Sequence, residues 1–171
     1  MRPAVPSAPS PELLPHVERI SRRSRAGALA RGPRFGRVAF VPSREADWLR
    51  QAEADLALAR HAMQGKHFEW ACFAAQQAAE KAAKAAHERL GREAWGHSVT
   101  ELLDALRANA PEVDAALLDR ARALDKLYIA TRYPNGLPTG APADYYTRAE
   151  AERALADAEA ILAACRRIIS R

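Results

Sequence analysis

The stretch from Arg132 to Tyr146 concentrates chemically useful side chains: Arg132, Tyr133, Asn135, Asp144, Tyr145 and Tyr146 fall within fifteen residues. A planar guanidinium can grip a phosphate or carboxylate through two parallel hydrogen bonds. Tyrosine rings can stack on a nucleobase. The same residues serve equally well to pack a loop, the tyrosines lying on the body of the protein and Arg132 pairing with an acid. On residue types alone the two readings stand level.

A second group sits on a helical pattern. Gln76, Gln77, Glu80, Lys81 and Lys84 form a polar band, and Gln77, Lys81 and Lys84 share one side by their three- and four-residue spacing. Lys81 and Lys84 are candidates for holding an anion. The plainer expectation is a solvated helix face, with Glu80 and Lys84 an exposed i,i+4 pair. The histidines at 16, 61, 67, 87 and 97 show no His-Glu-x-x-His spacing, so no metal site is expected. His97, just ahead of Ser98, is the candidate for general acid–base work, beside a plainer surface or capping role. No nucleophile elbow, phosphate loop or Gly-x-Gly-x-x-Gly pattern is present, and no cofactor is expected. Cys72 and Cys165 lack a Cys-x-x-Cys spacing, which argues against a disulfide framework or zinc ribbon.

The elements that must position these groups are helical. Forty of the 171 residues are Ala and only 6% are aromatic, which disfavours a β-rich fold. A first helix is expected from an Asp47 cap, with Trp48, Leu49, Ala52, Leu56, Ala59 and Met63 at helical steps until Gly65. A second runs from about His67 to Leu90 with a face of small residues, Ala71 to Ala86, that lets a neighbour approach closely. Ser98 and Glu101 have capping-box spacing and open a short third helix. Pro111 fits the first turn of a fourth, running to about Thr131. Three prolines and two glycines make 132–144 a loop of structured turns, longer than a bundle connection needs. Thr147 and Glu150 cap the last helix, which runs to about Ser170. The expectation is an all-α, five-helix up-and-down bundle over residues 46–171.

Residues 1–45 differ in texture. Seven of the eleven prolines lie in 1–42, and the Arg19–Arg37 stretch is broken by glycines, so a disordered Pro/Arg-rich tail is expected. The net charge of +5 is uneven: 1–46 hold nine Arg against three Glu, whereas 47–171 hold 17 basic and 18 acidic side chains. The near-neutral remainder offers no global field to attract nucleic acid. The tail reads as an incidental extension, with a phosphate-contacting tether as the alternative; its Arg-rich, acid-poor composition also has the look of a transit peptide. No apolar run approaches the ~20 residues of a membrane span, and no signal-peptide core is evident. A cytoplasmic protein without membrane contact is therefore expected.

Four blocks in order carry a resemblance. Asp47-Trp-Leu-Arg-Gln-Ala-Glu-Ala-Asp-Leu56, Trp70 to Lys84, Tyr128-Ile-Ala-Thr-Arg-Tyr-Pro-Asn135 and Ala143-Asp-Tyr-Tyr-Thr147 together resemble the HEPN domain family over about residues 46–170. The resemblance implies a five-helix bundle that often forms a homodimer. It also implies a partner, a minimal nucleotidyltransferase encoded nearby, in a module like a toxin–antitoxin pair, with a nucleotide or RNA as ligand. Many members are metal-independent ribonucleases whose motif is Arg, four to six residues, then His. Here positions 137–139 after Arg132 are Leu137, Pro138 and Thr139, so that His is missing. An Arg alone stabilises charge but does not shuttle protons at neutral pH. The expectation is thus a non-catalytic nucleotide-binding or partner subunit, with Arg132, Tyr133, Asn135, Asp144, Tyr145, Tyr146, Lys81 and Lys84 as candidate ligand contacts. The alternative is a ribonuclease toxin acting through Arg132 and His97. Trp48, Trp70 and Phe73 are candidates for a partner surface.

Overall fold

The computed structural model describes residues 43–171, and every described segment of regular structure is helical. The tail to residue 42 lies outside the described residues, and with it His16 and the prolines and arginines expected to be disordered. Helix α1 spans Glu45–Gln64, α2 Phe68–Arg89, α3 Val99–Leu106, α4 Ala115–Asp125, α5 Leu127–Ala130, α6 Pro142–Tyr145 and α7 Arg148–Ile169. No helix among the described residues is long and apolar enough to cross a membrane.

α1 and α2 form a tight helical hairpin. Gly65 ends α1, and the left-handed residue of the turn is Lys66, at φ +63°. α2 is enclosed on nearly every side. Ala71, Ala75, Ala78, Ala79, Ala82, Ala83, Ala85 and Ala86 are fully buried, so α1, α3 and α7 can close around a helix with almost no side-chain bulk. The large core side chains come from its neighbours: Leu103 and Leu106 of α3, Leu124 of α4 and Ile161 of α7 are all inaccessible to solvent. Each such burial stabilises by roughly 1.5–3 kcal/mol relative to exposure. Ion pairs stitch the last helix to the others, Arg60 to Glu159 and Arg166 to Glu53 at 2.6 Å each from α1, and Arg120 of α4 to Asp157 at 2.6 Å.

The bundle expected from the sequence is present, with local differences. Asp47 does not cap α1. Arg44 occupies the cap position without a side-chain bond, and Asp47 lies in the first turn, paired with Arg44 and Arg50. There an acid still complements the positive end of the helix. At α3, Ser98 Oγ accepts from the Glu101 amide at 3.2 Å, but Glu101 does not reach back. Asp125, 26 residues away, accepts instead from the Val99 amide (2.7 Å), the Thr100 amide (3.1 Å) and the Ser98 hydroxyl (2.9 Å). One carboxylate from α4 thereby satisfies the amide end of α3. Pro111 stands outside α4, whose cap is Asp114, accepting from the Leu117 amide at 2.7 Å. Asp114 wins because its short side chain can satisfy an end amide, whereas Pro111 only supplies a favourable φ. The helix also breaks at Lys126, leaving α5 as a single separate turn. The Thr147–Glu150 box is complete in both directions, at 2.8 and 3.4 Å.

Candidate functional site

The polar band of α2 is not a solvated face. It is a closed hydrogen-bonded seam. Glu80, 3% exposed, accepts from Lys84 Nζ at 2.7 Å and from Gln77 Nε2 at 3.1 Å. Gln77 Nε2 also donates to Gln76 Oε1 (2.8 Å), and Gln76 Nε2 donates to the carbonyl of His97 (3.0 Å). Lys81 Nζ donates to Asp55 of α1 at 2.5 Å and to Gln77 Oε1 at 3.0 Å. The Glu80–Lys84 pair expected at the surface is therefore buried, because α1 and the segment before α3 cover this part of α2. Lys84 also lies over the Trp48 ring, 5.4 Å from its centre. Both lysines already have carboxylate counter-ions, which leaves little charge for an external anion.

The seam ends at His97. Its Nδ1 lies 3.2 and 3.3 Å from the two Glu80 oxygens. An ionised carboxylate can only accept, so Nδ1 carries a proton, and in the neutral ring Nε2 keeps the lone pair. The His97 side chain is 58% exposed, so the ring is oriented from behind by a buried acid and open in front. It stacks on Tyr128 of α5, centroids 4.8 Å apart and planes 17° apart.

Tyr128 also carries Arg132. The guanidinium carbon sits 4.6 Å from the centre of the Tyr128 ring, 4.4 Å from that of Phe73 and 5.2 Å from that of Tyr133. Arg132 Nε donates to the Tyr128 carbonyl at 2.9 Å, one helical turn back. Three rings and one backbone bond thus fix the group, and it makes no ion pair among the described residues. Arg132 does not pair with an acid, as the packing reading required. It is a held cation whose two terminal nitrogens have no protein partner among the described residues.

The remaining candidates divide. Tyr133 joins the Arg132 shelf and is 48% exposed. Asn135 is exposed on the short turn Pro134–Gly136. Asp144 accepts from the Ala141 amide at 2.9 Å and so closes the loop itself. Tyr145 and Tyr146 line a different cleft, between α4–α5 and α7. Burial raises the Tyr146 hydroxyl pKa, with Cys72 and Glu150 adding to the effect. His87 is structural, its Nε2 lying 2.9 Å from the Leu102 carbonyl.

The sequence offers Phe73 as a candidate for a partner surface and Tyr128 as a position on the fourth helix, neither as a support for Arg132. The i,i+4 spacing of Tyr128 and Arg132 was the available signal, since it puts ring and guanidinium on one face. The link between Glu80 and His97 spans 17 residues and an intervening loop, and no local pattern announces it.

Together these features define an all-helical bundle whose central helix carries a buried polar seam ending at His97, which shares the Tyr128 ring with an arginine on an aromatic shelf. The HEPN domain family model matches residues 46–168, and the chain belongs to that family. Several solved structures are similar, among them the following three. TT1696 from Thermus thermophilus is 46% identical over 74% of this chain and 98% of its own, with a TM-score of 0.68. ST0689, described as an archaeal HEPN homologue, is 41% identical over 74% and 98%, with a TM-score of 0.63. The HEPN domain protein TM0613 from Thermotoga maritima is 41% identical over 73% and 98%, with a TM-score of 0.60. No curated protein matches.

Proposed function

We propose that this HEPN domain protein is a binding subunit, in which the Arg132 corner takes the phosphate of a nucleotide without turning it over. The observation that carries the reading is the uncompensated guanidinium of Arg132, held on Phe73, Tyr128 and Tyr133. A cation positioned before the ligand arrives loses little side-chain entropy on binding. The exposure of Tyr133 supports a role for its ring in stacking on a base. In this account the chain forms a homodimer and serves a minimal nucleotidyltransferase in a toxin–antitoxin-like module, acting in the cytoplasm. Half-exposed Trp70 and Leu58 beside Phe73 support the partner role, because they leave an apolar groove between α1 and α2. The test is titration calorimetry of the full chain with ATP. Saturable binding that Arg132→Ala weakens about tenfold or more is expected, one charge-assisted contact being lost. Equal binding by the variant would overturn the assignment.

One observation favours a second reading, a metal-independent ribonuclease. His97 and Arg132 both rest on Tyr128, and the Nδ1 contact with Glu80 leaves the Nε2 of a neutral ring free to accept a proton. A base and a charge stabiliser are the minimum for attack by an RNA 2′-hydroxyl. RNA cleavage by the purified protein, lost in both His97→Ala and Arg132→Ala, would establish this reading. No cleavage by wild type supports the binding subunit.

A further inference from the structure

We propose that the cleft beneath the 132–146 loop is a second binding site, separate from the Arg132 corner, for a small amphipathic anion with a flat apolar body. The cleft measures about 490 Å³, within the usual range for small-molecule sites. Leu127 comes from α5, Ala154 from α7 and Leu137 from the loop, making an apolar floor backed by the buried Leu124. Tyr145 and Tyr146 add two aromatic rings to the lining, suited to stacking on a flat ligand.

The charges on the rim are not balanced in effect. Of the two acids, Asp157 is tied to Arg120 at 2.6 Å. Glu150 Oε2 accepts from the Thr147 amide at 2.8 Å and its hydroxyl at 2.7 Å, which commits it to capping α7. Lys126 and Arg153 also line the cleft, and neither makes an ion pair among the described residues. Two uncommitted cations over an apolar, tyrosine-lined floor select an anion with an apolar body. A bare phosphate would leave the floor empty, and a neutral hydrocarbon would leave the cations unused.

The two sites share α5 but use different sides of it. Leu127 lines this cleft, whereas its neighbour Tyr128 stacks on His97 and carries Arg132. Changes in one are therefore separable from changes in the other.

The probe is anilinonaphthalene sulfonate, titrated by fluorescence into the full-length protein. Saturable enhancement is expected, weakened about tenfold or more by the Lys126→Gln/Arg153→Gln double variant, which removes both charge contacts. Naphthoate should displace the dye, and neutral naphthylmethanol at the same concentration should not. Ala123→Trp, which fills the rim, should block binding, with helical circular dichroism confirming that the variant is folded. Unchanged dye affinity in the charge variant overturns the proposal. So does loss of binding in Trp70→Ala with the cleft variants unaffected, because the dye then sits between α1 and α2.

Discussion

Removing Glu80 should be among the most damaging single changes in the bundle, and the loss should be recoverable at Lys84. The two side chains are 4% and 11% exposed and meet at 2.7 Å. In Glu80→Ala the Lys84 ammonium stays enclosed beside Trp48 with no counter-ion. Breaking a buried pair in this way costs about 3–5 kcal/mol, a large share of the ~5–15 kcal/mol that holds a typical domain together. Replacing Lys84 as well, in Glu80→Ala/Lys84→Met, removes the stranded charge and leaves a side chain that can lie against Trp48. The double variant should therefore be more stable than Glu80→Ala by about 2 kcal/mol or more, rather than less stable still. Urea denaturation followed by helical circular dichroism gives all the terms of the cycle. The reasoning is refuted if Glu80→Ala costs under about 1 kcal/mol, which means Lys84 escapes to water. It is also refuted if the two losses simply add.

Two further changes probe the buried thiols and the loop. Burial, with Glu150 and Glu69 adding to it, pushes Cys72 up to about 12, and burial pushes Cys165 up to about 12 against the opposing Arg167. Both should resist a thiol reagent at pH 8 in the native protein and react once it is unfolded in urea. Because their folded pKa values are raised, the stability they contribute is present below the ordinary thiol range and is lost as pH rises towards 12; urea midpoints should fall on that limb, less steeply in Cys72→Ala. Gly140 has φ +70°, and a Cβ there would lie 3.1 Å from Asp144 Oδ2 and 3.3 Å from Tyr145 Cε2. Gly140→Ala should cost about 1–2 kcal/mol. It should cost more than Gly91→Ala, where φ is +67° and nothing lies within 4 Å, and thermal melts of the two variants give the comparison.

The contrast between what was legible in the sequence and what was not has a physical basis. α2 was placed to within a residue at each end, because Gly65 and Gly91 bound a long periodic segment. The Thr147–Glu150 box was legible because both halves lie within one turn. The Asp125 cap was not, since its partners are 25 to 27 residues distant and a local acid, Glu101, already satisfied the pattern. The burial of the α2 band is not legible locally, for a related reason. Gln76, Glu80 and Lys84 look solvated on a helix drawn alone, but α2 is surrounded, and burial is decided by the neighbours. The Arg132 loop was recognised as unusual, yet its side chains separate into a cation shelf and a cleft wall. That division depends on which side of α5 each approaches.

If the Arg132 corner takes a nucleotide phosphate as proposed, Arg132 supplies the charge, because Lys81 and Lys84 are already paired with Asp55 and Glu80. Parallel ATP titrations of wild type, Arg132→Ala and Lys81→Met separate these roles. Arg132→Ala should weaken binding about tenfold or more, and Lys81→Met, whose charge already belongs to Asp55 at 2.5 Å, should stay within about twofold of wild type. The reverse order, with Lys81→Met abolishing binding and Arg132→Ala silent, contradicts the account.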